Sequence, residues 1–120
     1  MRVLVVDDEE GVRYALSRYL RARGHQTVAA ANGEDAMRFA RVETFDAVIT
    51  DCELPGMSGP ELFEMLVAFY AGYAERVIFM SGSHDDHHVH GYIAQARRPF
   101  MRKPFSLFDL DATLAALAPG

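Results

Sequence analysis

The 120-residue sequence has one cysteine, Cys52, and no apolar run of membrane-spanning length. A lone cysteine forms no intrachain disulfide and no cysteine-based zinc centre, and it points to a reducing compartment. The longest mostly apolar stretch, Leu66 to Ala74, falls far short of the ~20 residues that cross a bilayer. The first apolar run, Val3 to Val6, stops at Asp7-Asp8-Glu9-Glu10, too short for a secretory signal. Basic residues are in the minority, 12 Lys+Arg against 17 Asp+Glu, for a net charge of −5. A sequence-blind nucleic-acid binder needs a basic face to displace counterions, so direct nucleic-acid contact is not expected; a local basic patch is still allowed. Low-complexity linkers, fixed-period repeats and composition breaks are also missing. The expectation is a single cytoplasmic domain over residues 1–120, with no membrane insertion.

What is present is an alternation of short apolar runs and segments of helical period. Arg2 to Val6 reads as a strand buried on both faces. Val12, Ala15, Leu16, Tyr19 and Leu20 then form one helical stripe, capped by Gly24. Gln26 to Ala30 reads as a weak strand, and Gly33 to Arg41 as a short helix burying Ala36, Met37 and Ala40. Asp46 to Thr50 is a third strand. A Pro/Gly loop follows, then a helix from Pro60 to about Tyr70 with Leu62, Phe63, Leu66 and Val67 inward. Arg76 to Met80 is a fourth strand, Ser83 to Ala96 a loop and helix, and Pro99 to Arg102 a short fifth strand. Ser106 to Leu117 closes the chain, with Leu107, Leu110, Leu114 and Leu117 on one stripe. Five strands alternating with five helices imply parallel pairing and a doubly wound, three-layer α/β sandwich. Sites in such sheets form beyond the C-terminal strand ends, where strand order reverses.

Just past those strand ends stand Asp7 and Asp8, Asp51, Ser81 and Lys103. If the first and third strands are adjacent, three carboxylates converge and raise one another's pKa values. A hard divalent cation offsets them, and Mg²⁺ suits a site offering few carboxylates. A carboxylate is also a nucleophile able to form an acyl phosphate. Phosphoryl transfer asks mainly for positioning and charge neutralisation. Asp51 would attack, the metal would bridge carboxylate and phosphoryl oxygens, Lys103 would neutralise a further oxygen, and Ser81 would donate a hydrogen bond. Glu9 and Glu10 read instead as acids favouring the positive end of the following helix.

The motifs Val5-Val6-Asp7-Asp8-Glu9, Asp51 with Pro55 and Gly59, Met80-Ser81-Gly82 and Lys103-Pro104-Phe105 together resemble those of a response regulator receiver (CheY-like) domain. The spacings are similar too, with 30 residues from Asp51 to Ser81 and 22 from Ser81 to Lys103. The resemblance covers the whole chain and implies strand order 2-1-3-4-5. It implies that Asp51 is the phosphoacceptor, fed by a histidine kinase or histidine phosphotransfer protein. Asp7, Asp8, Asp51 and the backbone carbonyl of Glu53 would hold Mg²⁺, with Mn²⁺ able to substitute. Ser81 and Lys103 would contact the phosphoryl group, and Phe100 stands where the family has its switch aromatic. Switching would alter the face built from the fourth helix, fifth strand and fifth helix, which would engage an output domain or protein; a homodimer is also allowed. The Lys103-Pro104 bond is cis in most of the family. So read, the chain is a signalling switch rather than a turnover enzyme.

Other features have competing readings. The Glu53 side chain could tune the lifetime of an acyl phosphate or be a solvent-facing loop acid. His84, His87, His88 and His90, with Asp85 and Asp86, could bind a transition metal or form the solvated start of a helix capped by Ser83 and Asp86. Arg97, Arg98, Arg102 and Lys103 place four of the twelve basic residues in seven positions, either as a partner-docking patch or as a solvated edge. Small residues are usual in the family where Arg97-Arg98-Pro99 stand. Cys52 reads as a small core residue. The alternative function is a Mg²⁺-dependent phosphohydrolase with an Asp nucleophile. The haloacid-dehalogenase type of that chemistry spaces two Asp at i and i+2, whereas here Asp7 and Asp8 are adjacent. A flavodoxin-like FMN protein shares the topology, but four acids after the first strand would repel its phosphate.

Overall fold

A computed structural model describes residues 1–82 and 87–117. The sheet is built from β1 (Arg2–Val6), β2 (Gln26–Ala30), β3 (Ala47–Asp51), β4 (Val77–Ser81) and β5 (Phe100–Arg102). The helices are α1 (Glu10–Ala22), α2 (Gly33–Val42), α3 (Gly59–Phe69), α4 (His87–Gln95) and α5 (Leu107–Leu117). All strand pairs are parallel, in the order β2-β1-β3-β4-β5. The chain therefore reverses direction across the sheet between β1 and β3, which is where the order predicts a site.

The continuous apolar character of β1, β3 and β4 follows from burial on both faces. Alternate residues feed two cores. Val3, Val5, Ile49, Ile78 and Met80 pack with Leu16 and Leu20 of α1 and with Leu110 and Leu114 of α5. Leu4, Val6, Val48 and Phe79 pack with Ala36 and Ala40 of α2, Leu62 and Leu66 of α3, and Ile93 of α4. Cys52 is 3% exposed and belongs to that second core. The three layers expected from the alternation are therefore present.

Several sequence expectations shift. Asp51 and Ser81 are the last residues of β3 and β4 rather than residues beyond them. The ladder explains this: Cys52 N donates to the Met80 carbonyl, and Lys103 N to the Ser81 carbonyl, so pairing continues past the apolar run. Ala15, Val67 and Leu107, expected on inward stripes, are exposed, Val67 at 40% and Leu107 at 49%. Ala15 and Leu107 line an open cleft between α1 and the start of α5 rather than a closed core. A single 3-10 turn at Tyr73–Glu75 was not anticipated. It buries Tyr73, whose hydroxyl accepts a 3.0 Å hydrogen bond from Phe45 N. The capping pair Ser83–Asp86 and His84 lie outside the described residues.

Two glycines have conformational reasons. Gly24 follows the α1 C-cap Arg23 at φ +91°, a left-handed position that favours glycine. Gly59 opens α3 directly over the end of β3. A Cβ there would stand 2.3 Å from the Asp51 carbonyl oxygen and 2.9 Å from Cys52 Cα, so only glycine allows the approach. Ser58 caps the helix through a reciprocal bond pair with Glu61.

Candidate metal and phosphoryl centre

Asp7, Asp8 and Asp51 come together at the C-terminal edge of β1 and β3, each offering a carboxylate oxygen within 4.8 Å of the others. Asp7 is fully buried, Asp51 is 6% exposed and Asp8 is exposed. The site is thus open to solvent on the Asp8 side and walled by protein on the other. Among the described residues this is the one cluster of potential metal ligands. Asp7 Oδ1 accepts from Glu9 N at 2.9 Å, and Asp51 Oδ1 accepts from Glu53 N at 3.1 Å. These bonds fix both carboxylates at the start of their loops.

Lys103 closes the centre. Its Nζ donates to Asp7 Oδ2 at 2.7 Å and to Asp51 Oδ2 at 3.0 Å, with Glu9 Oε1 at 4.0 Å. Burial alone would depress the Lys103 pKa, but the hydrogen bonds and charges of Asp7 and Asp51 outweigh it and leave the ammonium held above its usual range. Asp51 moves the other way for a carboxylate. Its burial raises its pKa, only partly countered by the Glu53 N–H and by Lys103, and the Asp7 charge adds to the rise. Three oxygen-donor side chains, one cation and a residual cost of charge on Asp51 suit a hard divalent ion such as Mg²⁺.

Ser81 ends β4 opposite Arg102 and is 2% exposed. Phe100 opens β5 opposite Phe79, half-buried, with its ring 4.8 Å from that of His90. It lies away from the carboxylates, connected to them through the β4–β5 ladder. The Glu53 side chain is exposed, and its backbone N–H is committed to Asp51. The Lys103-Pro104 peptide bond is cis. His87 and His88 are exposed, while His90 packs on Phe100. Arg97 and Arg102 are exposed, Arg98 is half-buried, and Lys103 belongs to the acidic centre, so the basic stretch is not one continuous patch.

Two contributors escaped the sequence reading. Arg13 Nη1 donates to the Asp7 backbone carbonyl at 2.9 Å, tying α1 to the loop. Thr50, fully buried, donates to the Asp51 backbone carbonyl at 3.0 Å. The helical spacing places Arg13 on the first turn after the acids, but nothing in the sequence gives its side chain a direction.

Residues 3–115 match the family model for the response regulator receiver domain. The sensory/regulatory protein RpfC of Xanthomonas campestris is 32% identical over 120 residues, covering 98% of this chain but 16% of RpfC. PilH of Pseudomonas aeruginosa is 30% identical over 119 residues, covering 99% of this chain and 98% of PilH. The structure of TrrA from Thermotoga maritima, in complex with Mg²⁺-BeF, superposes with a TM-score of 0.83 at 28% identity over 98% of each chain. The chain thus spans a small part of RpfC and nearly all of PilH. No helix among the described residues is long and apolar enough to cross a membrane.

Proposed function

This chain belongs to the response regulator receiver family of two-component signalling, and from that premise we propose that it is a phosphoacceptor switch with Asp51 as the acceptor. The observation that carries the reading is Lys103 Nζ bridging Asp7 and Asp51 beside the exposed Asp8. In the reaction, an Asp51 carboxylate oxygen forms a bond to the phosphorus of a phosphohistidine. The phosphorus–nitrogen bond breaks, and its electron pair stays on the imidazole of the donor. Lys103 offsets charge on a phosphoryl oxygen, and the Ser81 hydroxyl donates to another. Asp7, Asp8, Asp51 and the Glu53 backbone carbonyl would hold Mg²⁺, which would supply charge neutralisation at the phosphoryl group when bound; Mn²⁺ would fill the same role. The Mg²⁺-BeF complex of TrrA supports this choice of metal.

Phosphorylation adds close to two negative charges and strong acceptors at one point. It shifts a two-state equilibrium by its differential interaction with the two states. Ser81 and Phe100 are the elements that respond, one on each strand of the β4–β5 pair. The face of α4, β5 and α5 is the output face. The donor is a histidine kinase or histidine phosphotransfer protein, and the receiver works in the cytoplasm as one domain that does not turn over a substrate pool. Incubation with Mg²⁺ and acetyl phosphate, followed by intact-mass measurement, tests this. A single phosphoryl increment on the wild type that is lost in Asp51→Asn supports the reading, and an increment unchanged in the variant refutes it.

A further inference from the structure

A cavity of about 390 Å³ opens between α2 and α3, and three of the six methionines line it: Met37 of α2, Met65 of α3 and Met57 of the loop between β3 and α3. All three are half-buried, whereas Met80 is fully buried and Met101 is 4% exposed. Met57 differs from the other two in what it holds. It is carried by a loop, and its side chain lies along Gly33, the first residue of α2. A Cβ at Gly33 would stand 2.8 Å from Met57 Sδ and 3.1 Å from Met57 Cβ, so the thioether fills the space that glycine leaves. Met57 therefore packs the loop onto α2 and, with Leu54, onto the core beneath α2 and α3.

The same loop begins at the acidic centre. Glu53 N donates to Asp51 Oδ1 at 3.1 Å, Met57 N to the Pro55 carbonyl at 2.9 Å, and Gly59 N to the Cys52 carbonyl at 2.9 Å. The Glu53 carbonyl, a ligand in the proposed metal site, belongs to this loop. Leu54 and Met57 are its two half-buried apolar anchors. A change of polarity at Met57 therefore acts on the segment that fixes the Asp51 carboxylate, six positions away.

We propose that Met57 is a reversible oxidation site through which hydrogen peroxide acts on the acidic centre. A sulfur lone pair attacks one peroxide oxygen. The S–O bond forms and the O–O bond breaks. The departing hydroxide takes the proton left on the transferred oxygen and leaves as water. Sulfur loses two electrons and peroxide gains them. The sulfoxide is polar where the thioether was apolar, and such a change disrupts methionine-rich contacts. Its hydration draws the side chain away from Gly33 into the open cavity, and the loop loses one of its two anchors. Methionine sulfoxide reductases restore the thioether: two thiols become a disulfide, and the oxygen leaves as water. Met37 and Met65 oxidise without this consequence, because regular helices hold them. The effect on phosphorylation rests on the phosphoacceptor reading of Asp51; the oxidation and the loosening of the loop do not.

The test exposes the full chain to graded hydrogen peroxide and then to dithiothreitol, which returns reversibly oxidised thiols and leaves sulfoxides. Peptide mass spectrometry should find sulfoxide at Met57 before Met80 and Met101. Hydrogen exchange at the Glu53, Met57 and Gly59 amides should quicken about tenfold, the factor that one unpaired polar group corresponds to. Acetyl-phosphate labelling should slow by a similar factor, and methionine sulfoxide reductases should restore it. Met57→Leu, a swap of similar volume, should label like the unoxidised wild type and keep its rate after peroxide, although Met37 and Met65 still oxidise. Met57→Gln, polar like the sulfoxide, should label slowly without peroxide. Labelling that falls equally in Met57→Leu, or exchange unchanged by sulfoxide at Met57, overturns the proposal. An unoxidised wild type that never labels refutes the phosphoacceptor reading, and the exchange result then still decides the fate of the oxidation site.

Discussion

Lys103 and Asp51, 52 positions apart in the sequence, meet through Nζ and Oδ2 at 3.0 Å. The same ammonium reaches the fully buried Asp7 at 2.7 Å, so one cation ties the ends of β1, β3 and β5. Removing it leaves buried carboxylates facing one another. Lys103→Met should destabilise the fold by about 3 kcal/mol, at the low end for a broken buried pair because Asp8 keeps the site open to water. Urea unfolding at neutral pH measures it. Acetyl-phosphate labelling of that variant should also slow by tenfold or more, the loss of one positioned charge.

Asp51→Asn should be as stable as the wild type or more so in metal-free buffer, because an ionised group whose pKa is raised by burial costs the fold stability. The sign gives a pH signature. Below the ordinary carboxylate value of 3.8, Asp51 is protonated in both states and carries no penalty. The penalty grows as pH rises from there through the raised folded-state value, and it is complete above that value. Unfolding free energies of wild type and Asp51→Asn should therefore diverge over this interval, with the wild type losing ground as pH rises.

Mg²⁺ binding should run opposite to that penalty. A ligand must be deprotonated to coordinate, so affinity rises with pH through the same interval. At 100 times its dissociation constant, Mg²⁺ should stabilise the wild type by about 2.7 kcal/mol. Thermal melts with and without Mg²⁺ read this, and the increment should shrink sharply in Asp8→Ala, which leaves the Lys103 contacts in place.

Gly59→Ala should cost about 2–4 kcal/mol despite the helix propensity of alanine, because the new Cβ meets the Asp51 carbonyl at 2.3 Å. The strain falls on the strand end that carries Asp51, so Mg²⁺ affinity should drop with stability. Denaturation and Mg²⁺ titration on one sample check both.

Tyr73→Phe should cost about 1–2 kcal/mol, since it leaves the buried Phe45 N–H without its acceptor. Acetyl-phosphate labelling should be unchanged, because Tyr73 has no contact with the acidic centre.

Most of the architecture was legible in the sequence because the strands are continuous apolar runs and the helices carry clear stripes. The strand ends were placed one residue early at Asp51 and Ser81. An apolar run ends where the side chains turn polar, while the backbone ladder continues through both residues. Stripe membership failed at Ala15, Val67 and Leu107, since periodicity gives the direction of a side chain but not the extent of the neighbour that covers it. Asp7, Asp8, Asp51 and Lys103 were found by their positions after strands, and the structure brings all four together. Arg13, Thr50 and Tyr73 were not found, because their roles depend on contacts with backbone atoms that no residue pattern marks. The basic stretch near β5 allowed either a docking patch or a solvated edge. It is instead divided, with Lys103 at the acidic centre and Arg98 anchored on β4.

The central claim is that the phosphoryl group resides on Asp51. Borohydride reduction converts an aspartyl phosphate to homoserine, which peptide mass spectrometry locates in the sequence. After incubation with Mg²⁺ and acetyl phosphate, the account predicts homoserine at position 51 and nowhere else. Homoserine at position 7 or 8, or none in protein that has gained phosphoryl mass, would contradict it.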